Sequence, residues 1–250
     1  MKRLVGVDLH VHTALSPCGS EQMRPPAVLL SAERRGIGVV GIVDHNTARN
    51  AGAFLAASEA FAVRVFVGLE VESAEGVHLL ALFDSTESAL ELDAAVAAHL
   101  PPLANRPDLF GEQWLLEEYG EVIGCDGRLL VTATDLSIDE IARMTQELSG
   151  FSLPAHIDRS ANGLLPVLGF VPPDLPVDLY EVSRHLPRSE ARERWPQLRG
   201  LPLVASSDAH YLEDIGQGAI LVPQEFADPG AGARDWAQAL GQYLLEHEEA

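Results

Sequence analysis

The stretch Val39-Val40-Gly41-Ile42-Val43 runs without a polar residue and stops at Asp44-His45. An apolar run with no alternation is what a strand covered on both faces requires, because neither face meets water. The polar chemistry starts where the strand stops. Short β-branched and apolar runs recur at Leu4 to Leu9, Val63 to Leu69, Val77 to Phe83, Leu153 to Ile157, Val177 to Val182 and Leu203 to Ser207. Stretches of helical character, such as Pro26 to Arg35 and Ala51 to Ala60, lie between several of them. This alternation predicts an α/β fold in which a parallel sheet, open or closed into a barrel, is wrapped by helices. Asp8, His10 and His12, then Asp44 and His45, Glu70, His156, and Asp208 with His210 all fall at or just beyond the C-terminal ends of these runs. Barrel active sites are built at such ends.

From 86 to 150 the rhythm breaks. Helix-like text at Ala89 to Leu100, Glu112 to Tyr119 and Ile138 to Leu148, with turn signals at Pro101-Pro102 and Asp126-Gly127, reads as a helical insertion or cap within a single domain spanning 1–250.

Composition bounds the partners. A chain of 250 residues with 47% hydrophobic residues can bury a full core. A net charge of -20 opposes a long nucleic acid, whose binding needs clustered Lys and Arg. Lys2 is the only lysine, so positive charge is almost all arginine, whose fork can grip a phosphate at a small site. Cys18 and Cys125 lie too far apart to suggest a disulfide framework, the start MKRLVGVDLHVH lacks the apolar core of a secretory signal, and no run is long enough to span a bilayer. A cytoplasmic protein with reduced thiols and no membrane partner is expected.

The ligand-type residues follow a spacing. His10 and His12 are separated by one residue, so on a strand both imidazoles project to one side and can bind one cation. Asp208 and His210 repeat that geometry with a carboxylate. Glu70 closes a buried strand, where a carboxylate is costly unless it meets cations or donors, and its two oxygens can bridge two metals. His78 opens the next strand and His156 follows another. Asp44 can ligate or orient a ligand from behind, and Asp8 is placed in the same outer ring. Cys18, as a thiolate, would be a soft ligand.

Taken together, Asp8-Leu9-His10-Val11-His12-Thr13, Gly41-Ile42-Val43-Asp44-His45-Asn46, Gly68-Leu69-Glu70-Val71, His78, Ala155-His156-Ile157-Asp158 and Ser207-Asp208-Ala209-His210 resemble the polymerase and histidinol phosphatase (PHP) family, in order and over nearly the whole chain. The resemblance implies a distorted (β/α)7 TIM-like barrel, two or three divalent ions (Zn, Mn or Fe) and phosphoesterase activity. It implies one metal on His10, His12, Glu70 and Asp208, a second on Glu70, His78 and His156, and a third on His45 and His210. Cys18, in Ser16-Pro17-Cys18-Gly19, stands where that third metal would take another His or Asp.

The expected reaction is hydrolysis of a small phosphomonoester or short nucleotide by a metal-activated hydroxide held through Glu70, Asp208 and His210. Arg159, Arg184 and His185 are candidate substrate contacts, with Arg49 a weaker one. The alternatives are an exonuclease on short oligonucleotide ends and a non-catalytic metal-binding regulatory domain.

Overall fold

The computed structural model describes residues 3–247. In chain order the elements are β1 (Leu4–Val11), α1 (Pro25–Arg34), β2 (Ile37–His45), α2 (Ala51–Ser58), β3 (Arg64–Glu72), β4 (His78–Phe83), α3 (Thr86–Ala98), α4 (Pro107–Phe110), β5 (Trp114–Leu116) and β6 (Val122–Cys125). There follow α5 (Ile138–Glu147), β7 (Phe151–Pro154), α6 (Leu164–Leu168), β8 (Tyr180–Val182), α7 (Arg188–Arg194), β9 (Leu203–Ala205), β10 (Ile220–Pro223) and α8 (Ala233–Glu246). Among these residues no helix is long and apolar enough to cross a membrane.

Six strands form one open, curled sheet in the order β10-β1-β2-β3-β4-β7. The uniformly parallel sheet expected from the alternation is found only at its centre, β1-β2 and β2-β3; the β1-β10, β3-β4 and β4-β7 junctions are antiparallel. Chain length explains the reversal of β4: only residues 73–77 join it to β3, and a parallel return needs a dozen or more. The closed barrel that the resemblance implies is likewise not formed by these ladders, since β8 and β9 make a separate parallel pair. That pair spans the gap through isolated bonds, from Ile157 N–H to the Glu181 carbonyl (2.8 Å) and from His12 N–H to the Ala209 carbonyl (2.9 Å).

Strands β1 to β3 are buried along almost their whole length, as their unalternating text requires. Gly41 and Gly68 lie over the carbonyls of Leu9 and Ala81, where a Cβ would collide with backbone. A triad of rings, Phe66, Phe151 and Trp236, seats α8 on the sheet, with Phe66 centred 5.2 Å from Phe151 and 4.7 Å from Trp236. Helix α5 starts on a capping box in which Ser137 and Glu140 satisfy each other's backbone N–H.

The segment expected as a helical insertion divides in two. Helices α3 and α5 pack on the sheet, α3 against β3 and β4 and α5 against β4 and β7. Glu112 to Tyr119 is not a helix: Trp114–Leu116 pairs with Val122–Cys125 as a hairpin. Gly111 and Gly120, at φ 101° and 87°, bracket the stretch with left-handed backbone that a helix cannot continue through, and β-branched Val122 and Ile123 favour a strand. The hairpin is pinned to the sheet rim by Asp126, whose buried carboxylate accepts from Arg128 Nη2 (2.6 Å) and Arg49 Nη1 (3.1 Å). Because both arginines keep partial access to water, Asp126→Ala is expected to cost about 2 kcal/mol. A chemical-denaturation midpoint equal to that of the unaltered chain would show that the hairpin is not held this way.

Candidate metal centre

The antiparallel run of β4 has a direct consequence for the site. Its first residue, His78, pairs with Glu72 at the end of β3, so it lands on the same rim as the C-terminal ends of β1, β2 and β3. The antiparallel β7 delivers His156 there too, two residues beyond Pro154 opposite Leu79. The rim thereby gathers His10, His12, His45, Glu70, His78, His156, Asp208 and His210.

Glu70 is the hub. Its Oε1 lies 2.7 Å from His78 Nδ1, 3.2 Å from His156 Nε2 and 3.3 Å from His10 Nε2. Its Oε2 lies 2.9 Å from His45 Nδ1 and 3.3 Å from His12 Nε2. Asp208 Oδ1 approaches His10 Nε2 at 3.4 Å and His12 Nε2 at 3.3 Å. Among the described residues three groups have ligand atoms close enough to share an ion: His10, His12 and Asp208; His12, His45 and His210; and His45, Glu70 and His78. His156 reaches Glu70 from outside these groups. Cys18 is in none of them; it is exposed at the cavity mouth, beside His45.

The residues fit divalent cations. His10 Nε2 and His12 Nε2 face each other at 3.1 Å while their Nδ1 atoms point outward to Glu181 and Ser16. Two lone pairs meeting in this way repel unless a proton or a cation lies between them. Glu70 Oε2, buried, is approached by His45 Nδ1 and His12 Nε2 but receives no well-directed hydrogen bond from either. In the metal-free chain, protons take the place of cations. Burial opposes a charge on every member, yet His12 and His45 are both raised to about 9, His12 by Asp208 and Glu70 and His45 chiefly by Glu70. Burial would raise Glu70, but His78, His10 and His45 hold it well below the ordinary range. His210 is lowered to about 3 by burial and by the charge on His12.

The outer ring is built from short bonds. Asp44 accepts from Ser16 Oγ (2.6 Å), Thr13 Oγ1 (2.7 Å) and Thr13 N–H (2.8 Å), and Ser16 Oγ in turn receives His12 Nδ1 (2.9 Å). Asp44 therefore orients His12 through a serine. Asp8 accepts from the N–H groups of Ser207 (2.9 Å) and Gly216 (2.7 Å), tying β1 to the loop that carries Asp208; burial raises its pKa. Three residues of the rim, Asn46, His156 and Asp208, hold positive φ (53°, 31° and 51°), a costly conformation for residues with a side chain that is kept where the surroundings fix it.

A cavity of about 600 Å³ opens over the cluster, lined also by Arg159, Arg184, His185, Tyr211 and Asp214. Arg159 Nη1 donates to Asp208 Oδ2, and Arg184 bonds the Ser207 carbonyl (3.1 Å) and Asp214 (3.2 Å). His185 is exposed on the wall. Arg49 faces Asp126 instead and does not line this cavity. Glu181 and Ser16 escaped the sequence reading. Glu181 had one visible signal, an acid inside Leu179-Tyr180-Glu181-Val182, whereas Ser16 had none.

An uncharacterized protein of Methanocaldococcus jannaschii is 34% identical over 84 residues, which cover 30% of this chain and 48% of that one. A lesion-specific endonuclease from Pyrococcus furiosus shares the fold at TM-score 0.59 and 21% identity, over 86% of this chain and 51% of that one. The chain thus spans about half the length of these two relatives. A candidate metal-dependent phosphoesterase from Bifidobacterium adolescentis superposes at TM-score 0.58 and 18% identity over 96% of both chains. With a PHP domain matched over residues 8–147, more than half of its length, and a PHP-associated segment over residues 190–231, this chain belongs to the PHP family.

Proposed function

We propose that this chain is a metal-dependent phosphoesterase that hydrolyses a small phosphomonoester or a short nucleotide, with two or three divalent ions of the Zn, Mn or Fe type. The observation that carries the reading is Glu70: one buried carboxylate with imidazoles on both oxygens, at the floor of a cavity whose wall holds two arginines. His10, His12, Glu70 and Asp208 would hold one ion, Glu70, His78 and His156 a second, and His45 and His210, with Cys18 at the mouth, a third. Ions bound there acidify water and offset charge on phosphoryl oxygens.

The chain's own groups do the rest. Arg184, braced by Asp214 and the Ser207 carbonyl, presents its guanidinium to a phosphoryl oxygen without having to be ordered first. Arg159 reaches the same space from Asp208. His210 donates Nδ1–H to the Asp208 carbonyl (3.0 Å), which leaves Nε2 with its lone pair toward the cluster. His185 lines the cavity wall and can give a proton to a leaving oxygen. The cavity's volume of about 600 Å³ and the charge of -20 favour a small substrate over a long duplex. The separate β8-β9 pair is the element that would close a barrel-like ring around the site, and the two free thiols suit the cytoplasm.

The test is elemental analysis of the purified chain beside a panel of phosphomonoesters, short nucleotides and abasic-site duplex DNA, each with added zinc, manganese or iron. Two or more metals per chain with turnover of a phosphomonoester or short nucleotide is the expected result. Turnover of the duplex alone would assign the chain to nucleic-acid cleavage, and stable metal with no turnover would make it a binding domain.

A further inference from the structure

We propose that Glu181 is the positioning residue of this centre, a single buried carboxylate that aims the His10 imidazole and fixes the turn carrying His156. The inference rests on the metal reading above. Glu181 lies on β8, 1% exposed, at the buried end of the same cavity. Its Oε1 stands 3.1 Å from His10 Nδ1 and accepts the His156 backbone N–H at 3.0 Å; Oε2 stands 3.3 Å from the same His10 nitrogen.

Two chemical consequences follow from those contacts. A carboxylate offers only acceptors, so it holds the proton of His10 on Nδ1 and leaves Nε2 to the cluster, 3.3 Å from Glu70 Oε1. At His156 the backbone sits at φ 31°, a conformation that is costly for a residue with a side chain and persists only when its surroundings determine it. Glu181 determines it from two sides, because its main-chain carbonyl also accepts the Ile157 N–H at 2.8 Å. All of this happens where no continuous ladder joins β7, β8 and β1. The sheet gap therefore leaves the relative placement of His10 and His156 to hydrogen bonds, and Glu181 makes bonds to both.

Reach and charge can be separated by substitution. Glu181→Gln keeps the length and a carbonyl oxygen that can accept both bonds now made by Oε1, but removes the charge. Glu181→Asp keeps the charge and draws the oxygens back by one methylene. A positioning role predicts that Asp does more harm than Gln.

Titration of the metal-free full-length chain with Mn²⁺ or Zn²⁺, and the visible absorption spectrum after loading with Co²⁺, read this without any substrate. Glu181→Asp is expected to weaken one of the bound cations roughly 10- to 100-fold and to alter the Co²⁺ bands, while Glu181→Gln keeps most of the affinity and bands close to those of the unaltered chain. The unfolding midpoint of each metal-free variant separates aim from packing, since a packing role would lower the midpoint and leave cation affinity in the folded chain unchanged. Gln as damaging as Asp, or both harmless, would overturn the proposal. If the unaltered chain binds no cation, the metal reading falls and takes this inference with it; if it binds cations and the variants do too with equal affinity, only this inference falls.

Discussion

Replacing Glu70 with Gln is expected to lower hydrolysis by about a thousandfold and to strip at least one metal from the chain. The size follows from what the side chain touches. Glu70 is 1% exposed and places one oxygen within 3.3 Å of His10, His78 and His156 and the other within 3.3 Å of His12 and His45. Gln fits the same space, yet it turns one acceptor into an N–H donor aimed at imidazole nitrogens and removes the negative charge shared by the cluster. Several kcal/mol of cation-derived transition-state stabilisation correspond to about three powers of ten in rate. The metal-free chain should suffer as well, by about 3 kcal/mol, because protonated imidazoles lose their buried counter-charge. Steady-state rates, metal content and unfolding of the metal-free form are read on the same preparations. Unchanged rate and unchanged metal content in Glu70→Gln would end the assignment of this residue.

What the sequence discloses about this site depends on whether a residue's role is local. The pair His10 and His12 is legible because period two along a strand decides its geometry whatever the rest of the chain does. Asp208 and His210 obey the same rule in text, although Asp208 itself lies beyond β9 at φ 51°. The direction of β4 was also available, since residues 73–77 are too few for a crossover, but a run of apolar residues looks the same in either direction. The strand Trp114–Leu116 was masked by Glu112, Glu117 and Glu118, which read as helix formers, while the glycines that break the stretch lie just outside it. Glu181 and Ser16 act on residues distant in sequence or on a loop conformation. Glu181 reaches back 171 positions to His10, and no spacing rule connects them. Ser16 matters only because the turn after β1 brings its hydroxyl between His12 and Asp44.

Removing the metals should destabilise the chain more at high pH than at low, and loading them should release protons. In the metal-free fold His12 and His45 titrate at about 9, above the 6.5 of an unfolded chain. A raised basic group stabilises the fold fully below its unfolded value, so this contribution is complete below pH 6.5, falls as pH rises, and is gone above about 9. Cations need the same nitrogens without protons, so their affinity changes in the opposite direction, by about tenfold per pH unit for each proton displaced. At pH 7 loading should release roughly two or more protons, since His10, also raised well above the ordinary value, adds to His12 and His45, and the release is measurable by calorimetry in buffers of different ionisation enthalpy. Between pH 6.5 and 8.5 the difference in melting temperature between loaded and chelator-treated protein should therefore widen, at roughly 2 to 4 °C per kcal/mol for a chain of this size. Glu70 is depressed, so its share of metal-free stability is present above the ordinary 4.5 and is lost as pH falls through its lower folded value. The acid limit is thus set by the carboxylate hub and the alkaline limit of the metal-free form by the imidazoles around it. A melting difference that stays constant across this range, with no proton release on loading, would mean that the imidazoles are not where the cations bind.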